Sequence, residues 1–307
     1  MKIENLKQPP LNTTLMGTLR GVADHFGIDT SDASLYGGSG HAFVINIHEE
    51  LCPSGPYCWD GGPFDRLIRN LGIARTDHGF FPPQSSAEAR SELESILKAH
   101  LDEGRPCSLL NLENQLITGY DDTGFDTVQP WYPRNKDFPP KRLSFGSWAE
   151  FGDGFHVNFF SYEPIDPVSR LEVILASLTY AVDLWENPDR HTGSGYGIGP
   201  NAYARFIQAV KAGAGDSHGN WWNATVWAEC RTMAAAYFGE IAGAMPEISK
   251  LAQDLSGEYG SIAESLSRVS DKEMDSAEKV SLLEMTRDDE AACIAKVAQC
   301  VEVIRPR

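Results

Sequence analysis

The sequence predicts an α+β domain, with a central helix and an antiparallel sheet, followed by an all-helical domain. Apolar residues between 13 and 26 recur at helical spacing, and short apolar runs between 107 and 162 are separated by turn signals. Beyond about residue 165 every apolar pattern is helical. We therefore expect two domains, over 1–165 and 166–307, for which 307 residues are sufficient.

The first helix is predicted over residues 13–26, TTLMGTLRGVADHF. Its large apolar residues lie on one face, so this face is expected to be buried. A threonine at 13 or 14 can cap the N-terminus, and Gly27 is suited to end the helix. The sequence thus begins its α+β domain with an amphipathic helix.

The remaining elements of this domain are mostly strands rich in β-branched and aromatic residues. One further helix, SSAEARSELESILKAHLDEG, is opened by a serine cap. The predicted strands are AFVINI (42–47), CSLLNL, NQLITGY, FDTVQPW, Lys141 to Phe145 and His156 to Tyr162.

The second half contains long helical patterns joined by a glycine-rich link, HTGSGYGIGP (191–200). No strand is predicted before this link and no Gly-Lys-Ser/Thr follows it, so it does not match a phosphate-binding loop. We interpret it as a connection between helices.

Composition excludes several classes of partner. With 26 Lys and Arg against 43 Asp and Glu, the formal net charge of −17 repels nucleic acid and anionic lipid. No signal peptide and no apolar run long enough for a membrane span are visible, so we expect a cytoplasmic protein. Six scattered cysteines in a large chain indicate reduced thiols, and no cofactor motif is found.

The order of TTLMGTLRGVADHFGIDTSDASLYGGSGHAF, GRPCSLLNLENQLITGYDDTGFDTVQPW and a helical tail resembles a known family. It is similar to the N-terminal domain of the butirosin biosynthesis protein H family and, more distantly, to papain-like C39 peptidases. The resemblance implies a papain-like fold for the first domain. For the butirosin H type it also implies acyl transfer.

In those families a cysteine begins the central helix, a histidine begins the second adjacent strand, and an Asp or Asn precedes a proline. The matching positions here hold Thr14, Glu113 (or the next residue, Asn114) and Gln129. We expect these positions to converge on one cleft. None of the three side chains suits the thiol mechanism, because it needs a thiolate, an imidazole base and a group that orients the imidazole.

Two hypotheses follow from this degenerate triad. In the first, the cleft persists as a groove that binds a small molecule. In the second, acyl or amide transfer uses another nucleophile from the segment Tyr36 to Asp60, such as Ser39 beside His41, or Cys52. We favour the first, because turns and packing explain these residues more readily than catalysis does. The histidines and cysteines there match no common zinc spacing, so we predict no metal site.

The helical domain offers a second possible pocket. Trp221 and its neighbours could form an aromatic wall facing Tyr196, although tryptophans at helical spacing are more often core. The predicted ligand residues are thus Thr14, Ser39, His41, Glu113, Asn114, Gln129, Tyr196 and Trp221. Because Glu113 brings a negative charge, we expect a small ligand carrying an amine or acyl group, with a homodimer as one option for assembly.

Overall fold

A computed structural model describes residues 1–306 of the chain. In chain order the elements are α1 (Thr14–His25), α2 (Asp32–Gly38), β1 (Asn46–His48), α3 (Gly62–Asn70), β2 (Ile73–Phe81), α4 (Ala87–Asp102), β3 (Cys107–Leu110), β4 (Asn114–Tyr120), β5 (Gly124–Thr127), β6 (Arg142–Ser144), β7 (Val157–Pro164), α5 (Arg170–Glu186), β8 (Tyr196–Ile198), α6 (Pro200–Ala209), α7 (His218–Ala244), α8 (Ser249–Val269) and α9 (Ser276–Ile304). The prediction of an α+β chain with a helical C-terminal region is confirmed.

The elements form two compact units. The first unit comprises Met1–Thr30 and Gly72–Pro167, and the second comprises Ser31–Leu71 and Val168–Arg307. The first therefore contains α1, α4 and the strands β2 to β7, whereas the second contains the other seven helices with β1 and β8.

The first unit is built on a six-stranded antiparallel sheet in the order β2-β7-β3-β4-β5-β6. The central strands are buried because helices cover them, and α1 packs against β4. On α4 the leucines at 93, 97 and 101 recur every fourth residue and are buried, while the Ser86 hydroxyl accepts the Ala89 N–H at 3.2 Å as an N-cap. Strand period and helix period thus agree with the sequence prediction.

The second unit buries its helices around α7 and α9. Helix α7 packs on α2 and α8, and α9 packs on α5, α6 and α8. Helix α7 is apolar on most of its circumference, which is typical of a helix surrounded by others rather than one facing solvent. Strands β1 and β8 form a short antiparallel pair in which His48 lies opposite Tyr196.

Residues 31–71 differ from the predicted division, because they belong to the helical unit. They form α2, a 3-10 turn at His41–Phe43, β1 and α3. Only the end of the predicted strand 42–47 is a strand, since the Arg231 guanidinium on α7 binds the carbonyls of Ala42 and Val44 that a sheet would otherwise use. The glycine-rich link, predicted to be only a connection, supplies β8.

One close approach fixes the start of α7. A Cβ atom on Gly219 would lie 1.7 Å from the carbonyl oxygen of Leu51, so only glycine fits there. Leu51 is buried and has a left-handed backbone, with φ of 54°. The segment that follows Leu51 is therefore seated directly on the first turn of α7.

We expect Gly219→Ala to lower the free energy of unfolding by about 1–3 kcal/mol, because the backbone at Leu51 must shift. The matched control is Gly257→Ala on α8, where no atom lies within 4 Å of the new Cβ. That change should raise stability by up to about 1 kcal/mol through helix propensity. Denaturant unfolding checks both, and equal effects of the two substitutions would contradict the close approach.

Candidate functional site

Two of the three triad-equivalent positions meet in the first unit. The Thr14 hydroxyl, at the start of α1, donates to Glu113 Oε2 at 2.7 Å and accepts the Asn114 backbone N–H at 3.1 Å. The Gln8 amide completes the arrangement by donating to the carbonyls of Thr14 and Asn114. Helix start and strand start are therefore adjacent, as the order of elements predicted.

This network is buried, so it serves to hold the fold together rather than to line an open cleft. Thr14 is 0% exposed and Glu113 7% exposed. A hydroxyl that is engaged by a carboxylate and a backbone N–H, with little access to solvent, holds a helix to a strand. The Glu113 carboxylate, which was expected to face a ligand, thus faces the Thr14 hydroxyl.

Gln129 has a different role. Its side-chain amide donates to the carbonyls of Lys136 at 2.9 Å and Pro139 at 2.8 Å, so it holds together the loop that precedes β6. No hydrogen bond among residues 1–306 links it to Thr14 or Glu113. The structure brings the first two positions together and uses the third to shape a loop.

Ser39 and His41 lie in the second unit and are wholly buried. The Ser39 hydroxyl donates to the Tyr36 carbonyl at 3.1 Å, and His41 Nδ1 lies 3.5 Å from the Cys230 sulfur. The His41 ring is surrounded by aromatic rings at 5.6–6.2 Å, those of Tyr36, Trp59, Phe64 and Trp227. Neither side chain faces solvent, where a substrate would be.

Burial governs the titration of His41. Its removal from water, together with the nearby positive charge of Arg231, lowers the pKa of His41 from 6.5 to about 3. The imidazole is therefore neutral at physiological pH. It behaves as an aromatic core residue with one polar contact, which agrees with the packing interpretation of this motif.

Arg231 forms a buried ion pair that the sequence did not reveal. The guanidinium lies 2.6 Å from Glu290 Oε1 on α9, and both side chains are 0% exposed. The Tyr203 hydroxyl donates to Glu290 Oε2 at 2.5 Å. Nothing in the sequence near Arg231 indicates a partner 59 positions away.

The segment between β1 and α3 presents two exposed cysteines, Cys52 and Cys58. The Ser54 hydroxyl donates to Cys52 Sγ at 2.9 Å and lies 2.8 Å from the Tyr196 hydroxyl. Burial, together with the nearby Cys58, raises the pKa of the Tyr196 phenol to about 12. Two residues singled out from the sequence, Cys52 and Tyr196, therefore belong to one cluster.

The ring contacts of Trp221 are with residues outside that cluster. Its ring packs on His218 and Trp222, and the Lys272 ammonium sits 5.8 Å from the ring centroid. Successive residues of α7 point in different directions, so the predicted aromatic wall is divided. Trp227 instead stacks on His41.

An open groove with a volume of about 700 Å³ lies among α3, α5 and α9 of the second unit. Three carboxylates and two guanidinium groups line it, those of Asp183, Glu186, Glu302, Arg66 and Arg305. No local sequence pattern indicates this groove, because its walls come from segments more than 100 residues apart.

Tyr180 forms part of the groove wall. Its hydroxyl is buried and has no hydrogen-bond partner among residues 1–306. Burial, reinforced by the carboxylates of Asp60 and Asp183, raises the pKa of this phenol well above its usual value. Asp183 is itself fixed by His191, whose Nε2 lies 2.8 Å from a carboxylate oxygen.

Comparison with known proteins gives no identification: no protein-family model and no curated protein matches the chain. Among residues 1–306, no cluster of three or more His, Cys, Asp or Glu side chains is arranged to hold a metal ion. None of the helices in this range combines the length and apolar character needed to cross a bilayer.

We expect Thr14→Val to lower the free energy of unfolding by about 1–3 kcal/mol, because it leaves the Asn114 N–H and a Glu113 oxygen without this partner. Thr14→Ser keeps the hydroxyl and should retain most of the stability. A double-mutant cycle with Glu113→Gln measures the coupling. Additive effects of the two changes would show that the pair does not contribute as a unit.

We also expect His41 to make the protein less stable in acid. Because its folded pKa of about 3 lies below 6.5, the unfolded state takes up the proton first, and stability is lost as pH falls through 6.5. The loss should reach about 2 kcal/mol between about pH 7.5 and about pH 5. Urea unfolding of His41→Gln should lack this component, whereas the exposed His218→Gln should keep it. An unchanged pH dependence in His41→Gln would contradict the assignment.

Proposed function

We propose that the protein is a non-proteolytic binding protein for a small amine-bearing ligand, with a papain-like first unit whose triad is degenerate. The proposal rests on the groove of the second unit, which is lined by more carboxylates than guanidinium groups and by Tyr180, whose buried hydroxyl has no hydrogen-bond partner among residues 1–306. Its biological role would be accessory or biosynthetic, in keeping with the resemblance to the butirosin H family.

The absence of proteolysis is supported by the buried contact between Thr14 and Glu113. Cysteine peptidases need an ionised thiol beside an imidazole at these positions. Here a hydroxyl donates to a carboxylate at 2.7 Å, and Gln8 and Asn114 complete the local hydrogen bonds. The arrangement holds the helix to the strand and contains neither the thiol nor the imidazole that a cysteine peptidase needs.

The preference for an amine follows from the charges of the groove. The carboxylates that line it outnumber the guanidinium groups by three to two, and the whole chain carries a formal charge of −17. Both attract a cation, locally through charge-assisted hydrogen bonds and over longer distances through the field. Arg66 and Arg305 suit an electron-rich part of the same ligand, such as sugar hydroxyls. We therefore expect amines and aminosugars to bind better than simple carboxylates.

Tyr180 supplies the second polar contact. A buried hydroxyl without a partner costs free energy in the absence of ligand, so it is found mainly where a ligand or water completes its hydrogen bonding. Its unusually high pKa keeps the phenol protonated and able to donate. Together, Tyr180 and Asp183 offer one donor and one anionic acceptor at the same wall.

A second candidate function is acyl or amide transfer at Cys52. The observation that favours it is the exposure of this thiol, together with the hydrogen bond it accepts from Ser54 at 2.9 Å. Ser39, the other nucleophile considered from the sequence, is enclosed in the core and is not favoured. We rank transfer below binding, because no imidazole is hydrogen-bonded to Cys52 among residues 1–306.

A thermal-shift screen of spermidine, aminosugars, matched carboxylates and acyl thioesters tests the ranking. An amine at about a hundred times its Kd should stabilise the protein by about 2.7 kcal/mol without being converted. Tyr180→Phe should leave the ligand-free protein as stable or more stable, and should weaken amine binding about threefold to tenfold. The exposed Tyr132→Phe is the matched control.

The outcomes separate the proposals. If only carboxylates stabilise the protein, or if Tyr180→Phe binds amines as well as the unchanged protein does, the groove is not an amine site. If mass spectrometry detects conversion of a thioester that depends on Cys52, transfer replaces binding as the preferred function.

A further inference from the structure

Asp183 differs from the other two carboxylates of the groove, because both of its oxygens are held. Asn187 Nδ2 donates to Asp183 Oδ1 at 2.7 Å, and His191 Nε2 lies 2.8 Å from Oδ2. Glu186 and Glu302 are exposed and have no hydrogen-bond partner among residues 1–306. Among the described carboxylates of the groove, Asp183 is therefore the one with a fixed orientation.

The surroundings of the His191 ring determine which nitrogen carries the hydrogen. Nε2 faces a carboxylate oxygen, which accepts hydrogen bonds, whereas Nδ1 is buried and has no partner among residues 1–306. A hydrogen on Nδ1 would leave an unsatisfied donor in the interior, so the tautomer with its hydrogen on Nε2 is favoured. In this form the uncharged ring donates to Asp183.

His191 also contacts Tyr180, the other polar residue of this wall. The two rings meet edge to face, with their centroids 5.5 Å apart. The His191 side chain is 6% exposed and that of Asp183 39%, so solvent reaches the carboxylate but hardly the imidazole. The His191 backbone is itself held, since its N–H donates to the Pro188 carbonyl at 3.1 Å and its carbonyl accepts the Asp60 N–H at 2.8 Å. One buried ring thus supports both polar residues.

The hydrogen bonds that Asp183 already accepts limit what it can bind. A carboxylate offers about four acceptor sites, of which Asn187 and His191 use one on each oxygen, so about two remain. A primary ammonium group has three N–H donors that can use these sites. A quaternary ammonium group has the same charge and no N–H donor. A carboxylate in a fixed orientation therefore distinguishes the two by hydrogen bonding rather than by charge.

We propose that His191 is a positioning residue of the groove and that, through Asp183, it selects a primary ammonium group over a quaternary one. This inference rests on the proposed function and names the class of amine that the same groove takes. His191 acts from behind the wall and does not touch the ligand. Because it orients the carboxylate in advance, less conformational freedom is lost when the ammonium group binds.

The test compares hexane-1,6-diamine with hexamethonium, its quaternary counterpart of equal charge and spacer length, by titration calorimetry. The unchanged protein should bind the diamine about tenfold more tightly. His191→Phe keeps a ring against Tyr180 but has no N–H, so it should weaken diamine binding about threefold to tenfold and leave hexamethonium binding unchanged. His191→Gln keeps a donor and should retain most of the preference. His218→Phe changes an exposed histidine and is the matched control.

The ratio of the two Kd values is the decisive measurement, because general damage to the fold would weaken both ligands alike. Circular dichroism establishes that each variant is folded, and His191→Leu replaces His191→Phe if the larger ring does not fit. Imidazole ¹⁵N NMR of the ligand-free protein tests the tautomer separately, and a hydrogen on Nδ1 of His191 would overturn the proposal.

The remaining outcomes separate this proposal from the proposed function. If the unchanged protein binds both ligands equally, or if the variant without the N–H keeps the preference, His191 does not select the amine, although the groove still binds one. If no amine binds, the proposed function is wrong and this inference is wrong with it.

Discussion

The second unit depends on the Arg231 guanidinium, which is fully buried and links α7, the helix that carries it, to two other segments. It pairs with Glu290 on α9 and donates to the carbonyls of Ala42 and Val44 in the turn before β1. Burial alone would lower the pKa of Arg231, but Glu290 and the smaller contributions of neighbouring acidic groups together outweigh it, and the net shift is upward. Removing either charge would leave the other unpaired in the core, which is costly.

That pair also explains where the exposed chemistry lies. By fixing residues 42–44, Arg231 sets the start of β1, whose partner β8 brings Tyr196 opposite His48. The segment after β1 then carries Cys52 to the first turn of α7, where glycine allows the backbones to touch. The buried charge of Arg231 thus helps to position the exposed thiols of Cys52 and Cys58. It does so indirectly, through its hydrogen bonds to the backbone before β1.

The two units show two ways of using a buried polar side chain on a helix. In the first, Thr14 and Glu113 are hydrogen-bonded to each other inside the core, so both groups serve to stabilise the fold. In the second, Tyr180 is buried without a partner beside an open groove. A satisfied buried network favours rigidity, whereas an unsatisfied group favours a ligand. The groove is therefore the better candidate for a ligand site, because it contains the unpartnered Tyr180 hydroxyl.

The sequence by itself determined the local elements whose periodicity is strong. These include α1, α4 with its serine cap, the strands β3 to β7 and the long helices of the second unit. Only the tertiary structure decided that residues 31–71 join the helices, that Arg231 finds Glu290, and that α3, α5 and α9 enclose a groove. Periodicity reports which face of an element is buried, but not which distant element covers it. Partners far apart in the chain leave no local signal, so their pairing appears only when the chain is folded.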